Sequence, residues 1–529
     1  MQRDAVERID LYEATLDNAV TDITSLLGDR KRARSVWHQA RREYRKLIAR
    51  RSDMEIGETY FNSVTRRIIH TEGVDADVEF LPSEPPEVSP ILPSLLRRYE
   101  TLGSVRDLLA AVVRDCRFQA SWSDLSGDLD AAVAELSRRL GIEHAGAAID
   151  SLEVVDQLFY RGHGAYVVGR LRVGARSEPF ALAIRHRRSG LAIGAALVGG
   201  DDLSILFSYT RAAFHVALPR PREVVEFLGT LLPHRRRSEL YSSIGLGKHA
   251  KTELYRDLID HIATSDDRFV IAPGVPGLVM IVFTLPGFDV VFKVIRDRFP
   301  SQKRVTRSEV RAKYRIVSRH DRAGRLIDAY EFEHLRLGAG SFDPELLAEL
   351  GEQASRNVSI GDGTVIIHHC YVERRVTPLD VYLRRVDPAE AERAIGDYGT
   401  GIKNLAASNV FPGDMLIKNF GVTGQGRVVF YDYDELALLS DCNFREFPDS
   451  NDPAEELAQD PWFGVAEGDV FPEELSRFLG IDEHLRAAFE DRHGNLYTVP
   501  FWTEVQSRIR SGEIIEIHPY RRSRELRQS

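Results

Sequence analysis

Apolar and polar positions divide the chain into three stretches of different period. Over residues 10–27, Leu11, Ala14, Leu16, Ala19, Val20, Ile23 and Leu27 fall mostly at helical spacing, and Gly28 supplies a stop. Residues 29–51 predict a second helix, with Trp37, Ala40, Tyr44, Leu47 and Ile48 on one side and ten Lys or Arg residues around them. That pattern predicts a core stripe with a solvated basic face, the rival reading being a phosphate or nucleic-acid surface. Residues 81–93 (LPSEPPEVSPILP) read as a linker or extended crossing segment. Helical spacing resumes over 95–118 and 129–140, where Gly141 ends it.

From about 150 the period changes to that of strands. Residues 165–173, 179–184, 191–198 and 212–218 predict a small antiparallel sheet, followed by a helix near 222–232. From about 265 the order is strand, Gly/Pro turn (272–277), strand (278–284), strand (289–295), then a helix at 307–320 opened by a Thr306/Glu309 capping box. Strands at 327–335 and 365–372 follow. Asp387-Pro388-Ala389-Glu390 then opens a long helix that carries Ala391, Ile395, Tyr398, Ile402 and Leu405 and leads to Asp414. The class is α+β, and a small sheet with one helix, a connector and a helical lobe is the layout of a two-lobed protein kinase. Residues 269–288 carry no charge and could suit a membrane span, but Pro273, Pro276 and Pro286 break a helix there, so strands and a turn are expected.

Composition narrows the function. A chain of 529 residues exceeds a single core, and a net charge of −10 argues against a general nucleic-acid binder. Cys116, Cys370 and Cys442 are widely spaced and odd in number, which suits a reducing cytoplasm. The N-terminal MQRDAVERID has no apolar core of a secretory signal.

Residues 411–434 carry the chemistry. Asp414 and Asn419 have the D-x-x-x-x-N spacing of a kinase catalytic loop, and Asp432 ends the apolar strand Val428-Val429-Phe430-Tyr431. Phosphoryl transfer needs one carboxylate to orient the attacking hydroxyl, and an amide with a second carboxylate to hold Mg²⁺. A polar hairpin with Asx turns is the bland alternative. Lys293 sits in a strand as V-F-K, resembling the kinase V-A-I-K lysine that reaches the phosphates. Gly245-Leu246-Gly247-Lys248-His249 fails as a P-loop, because Ser242 replaces the first glycine and His249 the magnesium-binding hydroxyl. His368, His369 and Cys370 alternate along a strand, so they cannot all ligate one ion.

Longer strings add a resemblance. LYEATLDNAV, SVWHQARREYRKLI, ETYFNSVTRRI, VFTLPGFDVVFKVIRDRFPSQK, EFEHL, YVERRVTPL, FPGDMLIKNFGV, GRVVFYDYDE and DPWFGVAEGDVFPEE look like the isocitrate dehydrogenase kinase/phosphatase family over nearly the whole chain. The resemblance implies a mainly helical N-terminal regulatory domain at 1–264, with its sheet at about 150–220. A kinase-like domain at 265–529 follows, with a small lobe at about 265–376 and a large lobe at about 377–529. It implies a bifunctional enzyme in which one site uses ATP to phosphorylate a serine of NADP-dependent isocitrate dehydrogenase and also removes that phosphate. The choice steers carbon between the citric acid cycle and the glyoxylate bypass. The implied cofactors are ATP and Mg²⁺, with Mn²⁺ as an option. AMP is the implied allosteric effector, bound where the regulatory domain meets the kinase-like domain. Isocitrate dehydrogenase and ATP, ADP and AMP are the expected partners, with no nucleic acid and no membrane; a homodimer is an open option. A kinase-like pseudoenzyme or ATPase that only scaffolds is the alternative.

Carried over by position, the ATP segment falls on Ala272, Pro273, Gly274, Val275, Pro276, Gly277 and Leu278, and the nucleotide lysine on Lys293. Asp328 takes the family's catalytic assignment. Asp414 and Asn419 take the catalytic-loop pair, Lys418 lies near the phosphates, and Asp432 takes the metal. Asp434, the second acid of Asp432-Tyr433-Asp434, is associated with phosphate removal. Ordinary kinases differ: Pro412 and Gly413 stand in place of H-R, two prolines enter the nucleotide loop, and Lys293 has no obvious acidic partner beyond guesses at Glu331 or Glu333. Residues 441–474 hold eleven acidic residues against Arg445 alone, and read as a docking segment with Trp462, Phe463 and Phe471 as anchors.

Overall fold

The structure, a computed structural model, describes residues 2–81, 95–101, 103–141, 149–208, 213–274, 276–300, 305–320, 322–448, 463–466 and 468–526. It divides into two compact units. One comprises Met1–Pro300, Tyr330–Glu373 and Pro519–Ser529, and the other Ser301–Ala329 and Arg374–His518. The expected linker lies almost wholly outside the described residues, as do Val275 and Trp462.

In the first unit, helices Gln2–Leu27, Arg34–Ile48 and Met54–Ile69 close a small core of Leu16, Trp37, Phe61, Val64 and Ile68. Trp37 and Ile48 are buried while the basic residues between them are largely exposed, so the stripe reading holds for this helix except at Leu47, which is exposed. The following sheet runs Leu96–Glu100, Ser151–Val155, Gly164–Val173, Arg176–Arg187, Gly190–Val198, antiparallel throughout. Its strands alternate between two cores. Tyr166, Val168, Ala181 and Ala183 meet helix Pro221–Leu231, and Val167, Leu171, Phe180 and Leu182 meet helices Val105–Asp115 and Leu125–Leu140. Because both faces are covered, the strands are apolar almost continuously.

Two expectations need correction. Residues 96–100 form a strand, not the start of a helix, because they pair with distant residues 151–155. Among the described residues 213–218, only an isolated bridge between Tyr160 and His215 replaces the expected strand.

A second sheet in this unit orders Ala329–Gly338, Thr364–Arg374, Phe288–Ile295, Met280–Leu285 and Val270–Ile271. Leu254 and Leu258 of helix Gly247–Thr264, with Leu346 and Leu350 of helix Pro344–Gln353, pack into its core. The described part of the uncharged stretch at 269–288 is therefore strands and turns, and no helix among the described residues is long and apolar enough to cross a membrane.

The second unit is built on helix Pro388–Ala407, whose Ile395, Tyr398, Ile402 and Leu405 are fully buried. Asp387 accepts the Glu390 amide at 2.9 Å and Pro388 is the first helical residue, as the sequence signals. Helix Arg307–His320 opens as expected: Thr306 N donates to Glu309 and Glu309 N donates to Thr306 Oγ1 at 3.3 Å. The chain is thus α+β: a helical N-terminal region with a sheet, followed by a sheet-containing C-terminal part.

Candidate active site

In the first unit, Lys293 lies on Phe288–Ile295, flanked by buried Phe292 and Val294. Its Nζ is 2.9 Å from Glu373 Oε2, and both side chains are buried. Glu373 lies near the end of strand Thr364–Arg374, which pairs directly with the strand of Lys293. The guesses at Glu331 and Glu333 are thereby corrected. Glu331 instead lies 2.7 Å from His369 Nε2. The signal for Glu373 was a lone acid closing a buried strand, but finding it needed the strand order.

The segment 272–278 leaves the sheet beside these strands. Ala272 N donates to Val282 O at 2.9 Å, and Arg296 Nε donates to Gly277 O at 3.1 Å, which fixes both ends of the turn. Pro273, Gly274 and Pro276 are exposed, as is Leu278. A Cβ on Gly277 would come 2.8 Å from Met280 O, so only glycine allows the chain to fold this close to the next strand.

The second unit assembles the carboxylates. Asp414 follows strand Val410–Phe411, and its Oδ1 accepts the Leu416 amide at 3.0 Å. Asn419 is buried; its Nδ2 donates to Asp414 O at 3.2 Å, which leaves Oδ1 of the amide as the remaining acceptor. Tyr398 hydroxyl donates to Met415 O, and Tyr431 hydroxyl donates to Lys418 O, so two tyrosines brace this loop. Lys418 itself is exposed.

Strand Val428–Phe430 pairs with Phe420–Val422, and Tyr431 N donates to Asn419 O at 3.1 Å. The hairpin therefore brings Asn419 next to the chain entering Asp432. Tyr433 is fully buried while Asp432 and Asp434 on either side are half-exposed. One aromatic thus anchors a turn whose two acids face away from the core. Asp434 N lies 3.4 Å from Asp432 Oδ1.

The segment before Asp328 pairs with the segment before Asp432 from a distant part of the chain. Leu326 bridges Phe430 in parallel sense, and Phe430 N donates to Arg325 O at 2.8 Å. Two residues onward along each chain stand Asp328 and Asp432, so their backbones leave the pairing in step. Arg325 is buried and grips Asp397 with Nη1 and Nη2, at 2.7 and 2.8 Å, while Nη1 also donates to Val428 O at 2.7 Å. Asp397 accepts Val428 N at 2.7 Å. Burial works to raise the Asp397 pKa, but the charge and hydrogen bonds of Arg325 prevail and hold it below the usual carboxylate value. This clamp is not legible along the chain, since its members are far apart in sequence.

The structure therefore gathers Asp328, Asp414, Asn419, Asp432 and Asp434 in one unit, and Lys293 with residues 272–278 in the other. Oxygen donors of the Asn419 and Asp432 type suit Mg²⁺, which prefers carboxylate and amide oxygens with water and phosphate. The rival site has no such coherence. His368 Nε2 is 2.8 Å from Ser359 Oγ, His369 turns to Glu331, and Cys370 is wholly buried. Phe471, expected as a docking anchor, is instead buried in a cluster with Phe447 and Phe463.

Comparison with known proteins agrees along the whole chain. Residues 1–266 match the regulatory-domain model of isocitrate dehydrogenase kinase/phosphatase (AceK), and residues 267–522 match its kinase-domain model. A protein of Anaeromyxobacter sp. (strain Fw109-5) called isocitrate dehydrogenase kinase/phosphatase is 48% identical over 525 residues, 99% of this chain and 91% of its own length. A protein of the same name from Anaeromyxobacter dehalogenans (strain 2CP-C) is 46% identical over 539 residues, covering 100% and 92%. One from Polaromonas sp. (strain JS666 / ATCC BAA-500) is 39% identical over 548 residues, covering 99% and 87%.

Proposed function

The chain belongs to the isocitrate dehydrogenase kinase/phosphatase family, and from that premise we propose that it transfers the terminal phosphoryl group of ATP to a serine of isocitrate dehydrogenase and also removes it. Residues 1–264 serve as the regulatory part and 265–529 as the catalytic part. AMP acts as allosteric effector, ATP is hydrolysed as a side activity, and the outcome sets the flux between citric acid cycle and glyoxylate bypass.

The observation that supports the enzymatic reading over a mere scaffold is a main-chain pairing: Leu326, two residues before Asp328, bridges Phe430, two residues before Asp432, while Tyr431 N bonds Asn419 O and Asn419 Nδ2 bonds Asp414 O. In our reading Asp414 accepts the hydrogen bond of the substrate hydroxyl and aims its oxygen at phosphorus. Asn419 and Asp432 hold Mg²⁺, which neutralises phosphate charge when bound. Lys293, kept in place by Glu373, pairs with the nucleotide phosphates, and residues 272–278 cover them. Lys418, exposed at the loop's rim, adds positive charge towards the transferred group. Asp328 shares the catalytic duty assigned to its family position. Asp434 orients water for phosphate removal, a role open to it because the usual glycine of the motif is replaced by an acid.

The test is incubation of the full-length protein with isocitrate dehydrogenase and γ-labelled ATP in Mg²⁺, with and without AMP. Label on an isocitrate dehydrogenase serine, released faster when AMP is present, is the expected result. ATP binding with no label transferred under either condition would replace this reading by the scaffold.

A further inference from the structure

We propose that Tyr433 is a positioning residue whose hydroxyl fixes the spacing between the Asp328 segment and the Asp432–Asp434 turn. The proposal rests on the functional reading above, and deepens it.

Tyr433 stands where ordinary kinases carry the phenylalanine of D-F-G, and its ring is fully buried. The ring meets Tyr314 of helix Arg307–His320 edge-on at 5.1 Å and Phe430 at 5.9 Å. A phenylalanine could make those contacts equally well. The hydroxyl adds something a phenylalanine lacks. It donates to Ile327 O at 2.9 Å and also lies 3.3 Å from Phe430 O. Ile327 immediately precedes Asp328, and Phe430 is two residues before Asp432. One buried oxygen therefore ties together the two main-chain segments from which those acids emerge.

The upstream end of the same segment is tied separately. Arg325 O accepts Phe430 N at 2.8 Å, and the Arg325 guanidinium is clamped by Asp397. The Tyr433 hydroxyl does the corresponding work downstream, where it holds the Ile327 carbonyl to the motif turn. Without it the ring would still fill its place, but the backbone entering Asp328 would lose this tie to the turn that carries Asp432. Displacements well under an ångström in a phosphoryl-transfer site act on the chemical step more than on nucleotide binding.

The test compares wild type with Tyr433→Phe, both full length. Four quantities are read: kcat and KM for ATP in phosphorylation of isocitrate dehydrogenase, ADP affinity by calorimetry, and hydrogen–deuterium exchange of peptides along the chain, those covering 322–330 and 428–434 among them. We expect kcat to fall by about tenfold, a fraction of the loss a misplacement of about 1 Å brings. KM and ADP affinity should stay within about twofold, with faster exchange confined to 322–330 and 428–434. Unchanged kcat with unchanged exchange would overturn the proposal. A fall in kcat that follows a loss of folded protein, with exchange raised throughout, would overturn it too. If wild type transfers no phosphate, the functional reading fails, and the exchange result alone decides whether the hydroxyl couples the two segments.

Discussion

Lys293 Nζ lies 2.9 Å from Glu373 Oε2, and neither side chain is solvated. The partner acid is on a neighbouring strand instead of on a mobile helix. Lys293 is therefore held by the sheet itself. Glu373→Gln removes the charge that compensates a buried ammonium, and breaking such a pair costs about 3 kcal/mol or more. Urea unfolding should show that loss, and KM for ATP should rise. Full stability in Glu373→Gln would mean that Lys293 does not depend on this acid.

Asp432 and Asp434 flank buried Tyr433, so the motif offers two half-exposed carboxylates instead of one. If Asp434 orients water, Asp434→Ala should slow phosphate release from phosphorylated isocitrate dehydrogenase by about 10²-fold or more, the usual scale for a positioned base. Phosphorylation should stay within severalfold of wild type. The two rates are measured on the same preparation; an equal fall in both would remove the division of labour.

Several of these features can be read along the chain because they are local. The Thr306/Glu309 box and the Asp387-Pro388 start lie within a few residues and appear as expected, and the equally local D-x-x-x-x-N spacing lets Asn419 bond back to Asp414 O. What escapes such a reading is non-local. Residues 96–100 (LRRYE) have no strand-like alternation, and only pairing with 151–155 makes them a strand. Glu373 meets Lys293 through the order of strands, and Arg325 meets Asp397 across 72 positions of sequence. Asp328 looks like any acid on a strand until Leu326 is placed against Phe430.

Gly413, just before Asp414, has φ +78 and faces the Glu435 carbonyl so closely that a Cβ would overlap it. This contact seats the loop that carries Asp414 against the chain leaving Asp432-Tyr433-Asp434. Gly413→Ala adds both backbone strain and that overlap, together about 1–3 kcal/mol. The expected outcome is a lower unfolding midpoint and reduced phosphorylation, with the calorimetric melt as the check. A melt like wild type would mean that the loop can move aside without cost.

His493 packs its ring onto helix Pro388–Ala407 at Gly399, where no Cβ could fit, and its Nε2 is 2.9 Å from Gly396 O. Burial first, and then the charge of Lys403, push its pKa from 6.5 down to about 4, against the pull of the Gly396 bond. The unfolded imidazole takes up a proton as pH falls below 6.5, whereas the folded one resists until about 4, so acid favours unfolding across that window. The contribution lost is up to about 3 kcal/mol, since a gap of one pH unit between folded and unfolded pKa values is worth about 1.4 kcal/mol. Asp397, on the same helix and held low by Arg325, loses its share only at still lower pH, so the two effects act in sequence in the same direction. Denaturant unfolding of wild type should weaken steadily from pH 6.5 towards 4, and His493→Gln should flatten that slope while lowering stability at neutral pH. Parallel slopes for the two proteins would show that another group governs the acid response.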